Sequence, residues 1–187
     1  MMQQVELSSS ETDEALAERA RRGEREAETA LVRRLYPAVH ALASRLLRGT
    51  DSARDATQEA FLRAFARLGQ FDGRHRFCAW IFKILVNHVR DERRRAGRVV
   101  SAELAPDDWT DPGPPPPETL LRDEDVRRAR SALDELPDET RLAILLHFQE
   151  GMTGRDVAYA LDLTPQAARI RICRGVAQLR ARLKETP

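Results

Sequence analysis

Between residues 71 and 95 the chain interleaves aromatic rings with guanidinium groups. Phe71, Asp72, Gly73, Arg74, His75, Arg76 and Phe77 precede Trp80, and the apolar segment that holds Trp80 emerges as Asn87, Arg90, Arg93, Arg94 and Arg95. Single-stranded nucleic acid takes such a set: ring faces for stacking, amides for base edges, cations for phosphates. Phe77, Trp80 and Ile84 also have the spacing of a helix core, and Trp80 is expected there. The loop and Asn87 have no such core role. A second set lies near the C-terminus. Ala168, Ile172 and Val176 recur every four residues, which leaves Gln166, Arg169, Arg171 and Arg174 pointing outward. A major groove admits one helix, and the N-terminal residues of that helix reach base edges. Arg169 and Arg171 are therefore candidates for base or phosphate contact, and Arg174 for phosphate. A solvated face on a structural helix would carry the same residues; the short helix and tight turn ahead of it favour DNA.

A third set is acidic. Asp55 and Glu59 stand at i and i+4, opposite Phe61 and Phe65, available to a basic partner. Two chemistries fail for want of residues. His75, Cys78 and His88 do not supply the four ligands zinc prefers. Asp51, Asp55 and Glu59 resemble a magnesium-binding nuclease stripe, yet no Lys or His is placed nearby as a base. Neither a cofactor nor an enzyme is expected.

These side chains need helices to hold them, and the pattern is all-α, with no alternating strand run or hairpin signal. Thr12 caps a helix that starts with Asp13 and Glu14 and ends near Gly23. Leu31, Leu35, Val39, Leu42 and Leu46 stripe a helix from Glu24 to about Arg48, with Pro37 as a kink point. Ser52 to Leu68 puts Ala53, Ala56, Ala60, Phe61, Ala64, Phe65 and Leu68 on one face, closed by Gly69. Gln70 to His75 is a polar loop, and Phe77 to Val89 an apolar helix running into Asp91–Arg95. Farther on, Leu120 to Leu136 is helical and stops at Pro137. Asp138 to Glu150 is one helix, with Leu142, Leu145, Leu146 and Phe148 inward. Thr153 starts a short helix through Leu161, Asp162-Leu163 turns the chain, and Thr164-Pro165 opens a last helix to about Lys184. Short helix, tight turn and basic second helix make a helix-turn-helix.

Composition divides the chain: a tail over 1–11, a helical domain over 12–98, a linker over 99–122 and a second helical domain over 123–187. From Val99 to Thr119 there are six prolines and no apolar stripe. Fully extended, 24 residues reach at most ~80 Å. Trp109 within it is either partly covered by a domain or an anchor in a partner's groove. The net charge of +1 hides a segregation: the first 98 residues carry 19 basic and 14 acidic side chains, whereas the linker carries one and five. Pro165–Lys184 holds six basic residues and no acidic one. Polyanion-binding faces separated by an acidic connector fit this distribution. No run approaches the roughly 18 apolar residues of a membrane-spanning helix. Met1–Ser10 lacks a signal-peptide pattern, and Cys78 and Cys173 are distant with no CxxC, so a cytoplasmic protein without membrane insertion is expected.

DATQEAF (55–61), FDGRHRFCAW (71–80) and NHVRDERRR (87–95) resemble the second conserved region of bacterial RNA polymerase sigma factors. LDELP (133–137), GMTGRDVAYALDLT (151–164) and RIRICRGVAQLR (169–180) resemble the fourth. The pair, with little between, is similar to the extracytoplasmic-function (ECF) group of the sigma-70 family. The resemblance implies a promoter-specificity subunit with partners in core RNA polymerase and promoter DNA. Asp55, Gln58, Glu59 and Arg63 would dock on the β′ clamp coiled coil, and the β flap is a further part of core polymerase that the chain would meet. Phe71 to Phe77 would capture a flipped base of the −10 element, with Asn87, Arg90 and Arg94 along its upstream edge. Thr164, Gln166, Arg169, Arg171 and Arg174 would sit in the −35 major groove. An anti-sigma factor is a further implied partner. The sequence departs from the family pattern at Gln166-Ala167-Ala168, Ile170, Gly175-Val176, His75 and Arg76, so the resemblance assigns roles and not base sequences. The alternative is a stand-alone helix-turn-helix regulator, which leaves residues 52–98 without a purpose.

Overall fold

The computed structural model describes residues 11–47, 50–95 and 123–185. The N-terminal tail, the linker with Trp109 and the last two residues lie outside them. The described residues form eight α-helices and no strand, in two compact units divided at Val100.

In the first unit, α1 (Asp13–Arg21) begins at the Thr12 cap, whose Oγ1 accepts from the Ala15 N–H at 3.2 Å. It turns at Gly23 with φ +88°, a left-handed conformation that glycine adopts without strain. Ion pairs pin it: Arg19 reaches Glu11 at 2.9 Å and Glu24 at 2.8 Å, and Arg34 reaches Asp13 at 2.8 Å. The Glu24 hydrogen bond, then the nearby Glu11 charge, hold the Arg19 guanidinium above its ordinary pKa. Helix α2 (Arg25–Leu46) runs on through Pro37, and all five residues of its expected stripe are buried. α3 (Thr50–Ala66) buries Ala53, Ala56, Ala60 and Ala64, small enough for α2 and α4 to approach closely. Thr57 lies among them; its hydroxyl donates to the Ala53 carbonyl at 2.7 Å, so this buried hydroxyl is satisfied. α3 ends two residues before the expected Leu68, which instead opens a 3-10 turn over Leu68–Gln70. α4 (Phe77–Arg95) extends past Val89 as one helix, and Arg93 Nη2 donates at 2.6 Å to the Leu46 carbonyl at the end of α2.

The second unit contains α5 (Asp123–Asp134), α6 (Asp138–Ile144), α7 (Gly154–Leu161) and α8 (Pro165–Glu185). The single helix expected to Glu150 is a correction. Beyond Ile144 it widens into a π turn over Leu145–Gln149, where the Glu150 N–H reaches back to the Leu145 carbonyl at 3.3 Å. The wider turn keeps Leu145 and Leu146 buried and leaves Phe148 half-buried. It also brings His147 Nδ1 within 2.7 Å of the Met152 carbonyl oxygen. α7 starts at a Thr153 cap: Thr153 Oγ1 accepts from the Asp156 N–H at 3.2 Å and donates to Asp156 Oδ2 at 2.7 Å. Asp162, at φ +61°, turns the chain, the Leu163 N–H returns to the Ala158 carbonyl at 2.9 Å, and Thr164 caps α8 ahead of Pro165. On α8 the inward stripe holds at Ala168 and Ile172, is half-buried at Val176 and Leu179, and ends exposed at Leu183.

Gly175 explains how α8 approaches α6. A Cβ there would stand 2.3 Å from Ile144 Cδ1 and 2.7 Å from Thr140 Cγ2. Gly175→Val is therefore expected to destabilise the second unit by about 1–3 kcal/mol, the usual cost of overpacking. Thermal melting monitored on that unit checks this.

Candidate functional site

The loop over residues 71–77 is held at both ends. At its start, the half-buried Phe71 packs its ring on Phe77 at 5.2 Å and on Trp80 at 5.5 Å. Trp80 is buried, as its spacing predicts. At its end, the Phe77 N–H donates to Glu14 Oε1 of α1 at 3.0 Å. Between them, Asp72 Oδ1 accepts from the Arg74 N–H at 3.0 Å, and Gly73 at φ +71° completes the turn. Asp72, Gly73, Arg74 and Arg76 are exposed, and His75 is half-buried. Phe77 departs from the sequence expectation of a base contact: its side chain is fully buried, so it is the floor of the loop and not a stacking face.

A polar stripe leads away from this loop along α4. Asn87, Arg90 and Arg94 recur at three and four residues and share one helix face. Asn87 and Arg90 are half-buried; Arg94 is exposed, 3.6 Å from Asp91. Lys83, four residues before Asn87, falls on the same stripe and was not singled out from sequence. Arg93, grouped there with the basic run, serves the fold through Leu46.

On α3, Asp55 and Gln58 are exposed and Glu59 pairs with Arg63 Nε at 2.6 Å. Phe65, expected opposite the acids in the core, is half-buried. Leu62 is 58 % exposed. It follows Gln58 by four residues and Asp55 by seven, so it stands on their face, opposite buried Ala53, Ala60 and Ala64. An apolar centre ringed by polar groups is the layout of a protein interface. Helical spacing alone marks Leu62, but an apolar residue in an apolar helix passes for core.

In the helix-turn-helix, Gln166, Arg169 and Arg174 are exposed as expected. The stem of Arg169 crosses the start of α7, where a Cβ on Gly154 would lie 3.4 Å from Arg169 Cγ. Thr164 Oγ1 accepts from the Ala167 N–H at 3.1 Å, so its hydroxyl oxygen is committed to the cap. Arg171 corrects the sequence expectation: instead of facing outward it is half-buried and ion-paired with Glu139 of α6. Among the described residues no three His, Cys, Asp or Glu side chains are grouped to hold a metal, and no helix is long and apolar enough to cross a membrane.

Comparison with known proteins places both units. The family model for Sigma-70 region 2 matches residues 31–99, and that for Sigma-70, region 4 matches residues 127–179. The RNA polymerase sigma-H factor of Pseudomonas aeruginosa is 30% identical over 174 residues, covering 88% of this chain and 90% of that one. The ECF RNA polymerase sigma-E factor of Escherichia coli is 29% identical over 178 residues, covering 90% and 93%. A probable RNA polymerase sigma factor of Xanthomonas campestris, RfaY, is 36% identical over 149 residues, but the chain spans only 37% of its length. Among solved structures, CnrH in complex with the cytosolic domain of CnrY superposes with a TM-score of 0.68 at 27% identity, covering 95% of this chain and 100% of that one. RpoE of Bartonella quintana, in complex with the anti-sigma factor NepR, gives 0.63 at 25% identity, covering 85% and 98%.

Proposed function

The chain belongs to the sigma-70 family, and we propose that it is an ECF sigma factor that gives core RNA polymerase its choice of promoter. The observation that carries this reading is that both units match, the first to region 2 and the second to region 4. A stand-alone helix-turn-helix regulator would use the second unit and leave the first, with its loop and its docking face, unemployed.

In this reading the α3 face with Asp55, Gln58, Glu59, Arg63 and Leu62 seats on the β′ clamp coiled coil. Asp72–Arg76 closes on a base flipped from the −10 element, with Phe71, Phe77 and Trp80 as its support. Asn87, Arg90 and Arg94 follow the upstream edge. Flipping a base costs a few kcal/mol of stacking, which selects an easily melted site. Helix α8 enters the −35 major groove with Gln166, Arg169 and Arg174 outward, and Arg171 fixes the angle of that helix through Glu139. The two elements are roughly two turns apart, about 70 Å at ~3.4 Å per base pair, a span within reach of the 99–122 connector. Bond making in RNA belongs to the polymerase; this chain positions and melts, in the cytoplasm and on the nucleoid once in holoenzyme. The complexes of CnrH with the cytosolic domain of CnrY and of RpoE with the anti-sigma factor NepR support control by an anti-sigma partner.

The test separates the readings by order of binding. A sigma factor binds core polymerase in solution, binds promoter duplex poorly alone, and protects both elements once core is added. Tight, footprinted binding of the free chain to duplex, unchanged by core, would establish the regulator instead.

A further inference from the structure

Helix α1 lies ahead of residues 31–99, the segment matched to region 2; it packs chiefly on α2 and also touches the two elements that flank the loop at 71–77. It packs against the 3-10 turn at Leu68–Gln70, where the chain enters the loop, and against α4, where the chain leaves it. Glu14 makes the second contact specific, accepting from the Phe77 N–H at 3.0 Å across 63 positions of sequence. Phe77 is the first residue of α4, and its amide is one of the donors a helix start leaves without an intrahelical partner. A carboxylate is the acceptor that the positive end of the helix dipole favours. Helix α1 is in turn braced on α2, because Arg34 Nη1 donates to Asp13 Oδ1 at 2.8 Å and to the Glu11 carbonyl at 2.7 Å.

We propose that Glu14 is a positioning residue for −10 recognition: it fixes the point where the loop joins α4 and so sets where Arg74, His75 and Arg76 meet the captured base. Glu14 also fills the anion-binding end of α4, which leaves DNA phosphates to the arginines of the loop. The proposal rests on the reading of 71–77 as the −10 contact, and the experiment separates the two.

Glu14→Ala and Glu14→Gln are compared in the full chain. In the free protein, amide hydrogen exchange at Phe77 is expected to rise at least tenfold in E14A and less in E14Q, which keeps an acceptor oxygen. In holoenzyme, open-complex formation is measured on templates carrying each base at the captured −10 position. E14A is expected to flatten the preference between best and worst base at least threefold, with core affinity and −35 protection unchanged, and E14Q to recover most of it. Unchanged exchange at Phe77, or faster exchange with base preference intact, overturns the proposal. A wild-type holoenzyme indifferent to all four bases overturns the loop assignment, and the proposal with it.

Discussion

Asp55→Arg combined with Leu62→Asp is expected to lower the affinity of the full chain for core polymerase by at least about 30-fold, the equivalent of about 2 kcal/mol. Both side chains are exposed on α3, so the thermal midpoint should hardly move. In the docking proposed for α3, Asp55 supplies charge to a basic partner, and reversing it would set like charges against each other at contact distance. Leu62 supplies apolar area at the centre of the same face, and a carboxylate there would be desolvated on docking. Glu59→Arg is a weaker probe, because it also removes the partner of Arg63 at 2.6 Å. Titration of labelled chain into core polymerase measures the change. Unaltered affinity in the double variant removes α3 from the interface.

The second large effect divides the arginines of α8. Arg169→Ala with Arg174→Ala is expected to cut −35-dependent promoter binding by about tenfold or more and to flatten its salt dependence by about one unit of slope per lost phosphate contact. Arg174→Ala alone, at an exposed position, should leave the melting temperature unchanged. Arg171→Ala should do the reverse. Its partner Glu139 is half-buried on α6, and a charged hydrogen bond of this kind contributes about 1.5–3 kcal/mol. Arg171→Ala and Glu139→Ala should therefore each lower the melting temperature of the second unit, and the double variant should add little to either alone. Additive losses would show that the two residues do not act as a pair.

Arg171 also marks where sequence reading stops. Local patterns were legible because they are local: the stripe from Leu31 to Leu46, the Thr12 cap, and Thr164-Pro165 at the start of α8 all depend on neighbours within a few residues. The helix-turn-helix followed from the same short-range signals. Which way Arg171 points depends on how closely α8 lies on α6. That approach depends in turn on Gly175, which reads in sequence as a mere departure from the family pattern. Glu14 was legible only as a first-turn acid of its own helix, since its acceptor role needs α1 placed against α4. The π turn after Ile144 leaves no mark in the sequence pattern because Leu145 and Leu146 are inward in either helix type. Phe77 looked available because it borders a polar loop, but α4 already turns it into the core.

Mapping RNA 5′ ends made by core polymerase with and without the purified chain puts the whole scheme to trial on one gel. With the chain present, transcripts should begin at one position set by an upstream pair of elements. Inserting about half a helical turn between those elements should abolish that start. Start sites that stay scattered when the chain is added, or that ignore the inserted spacer, would contradict it.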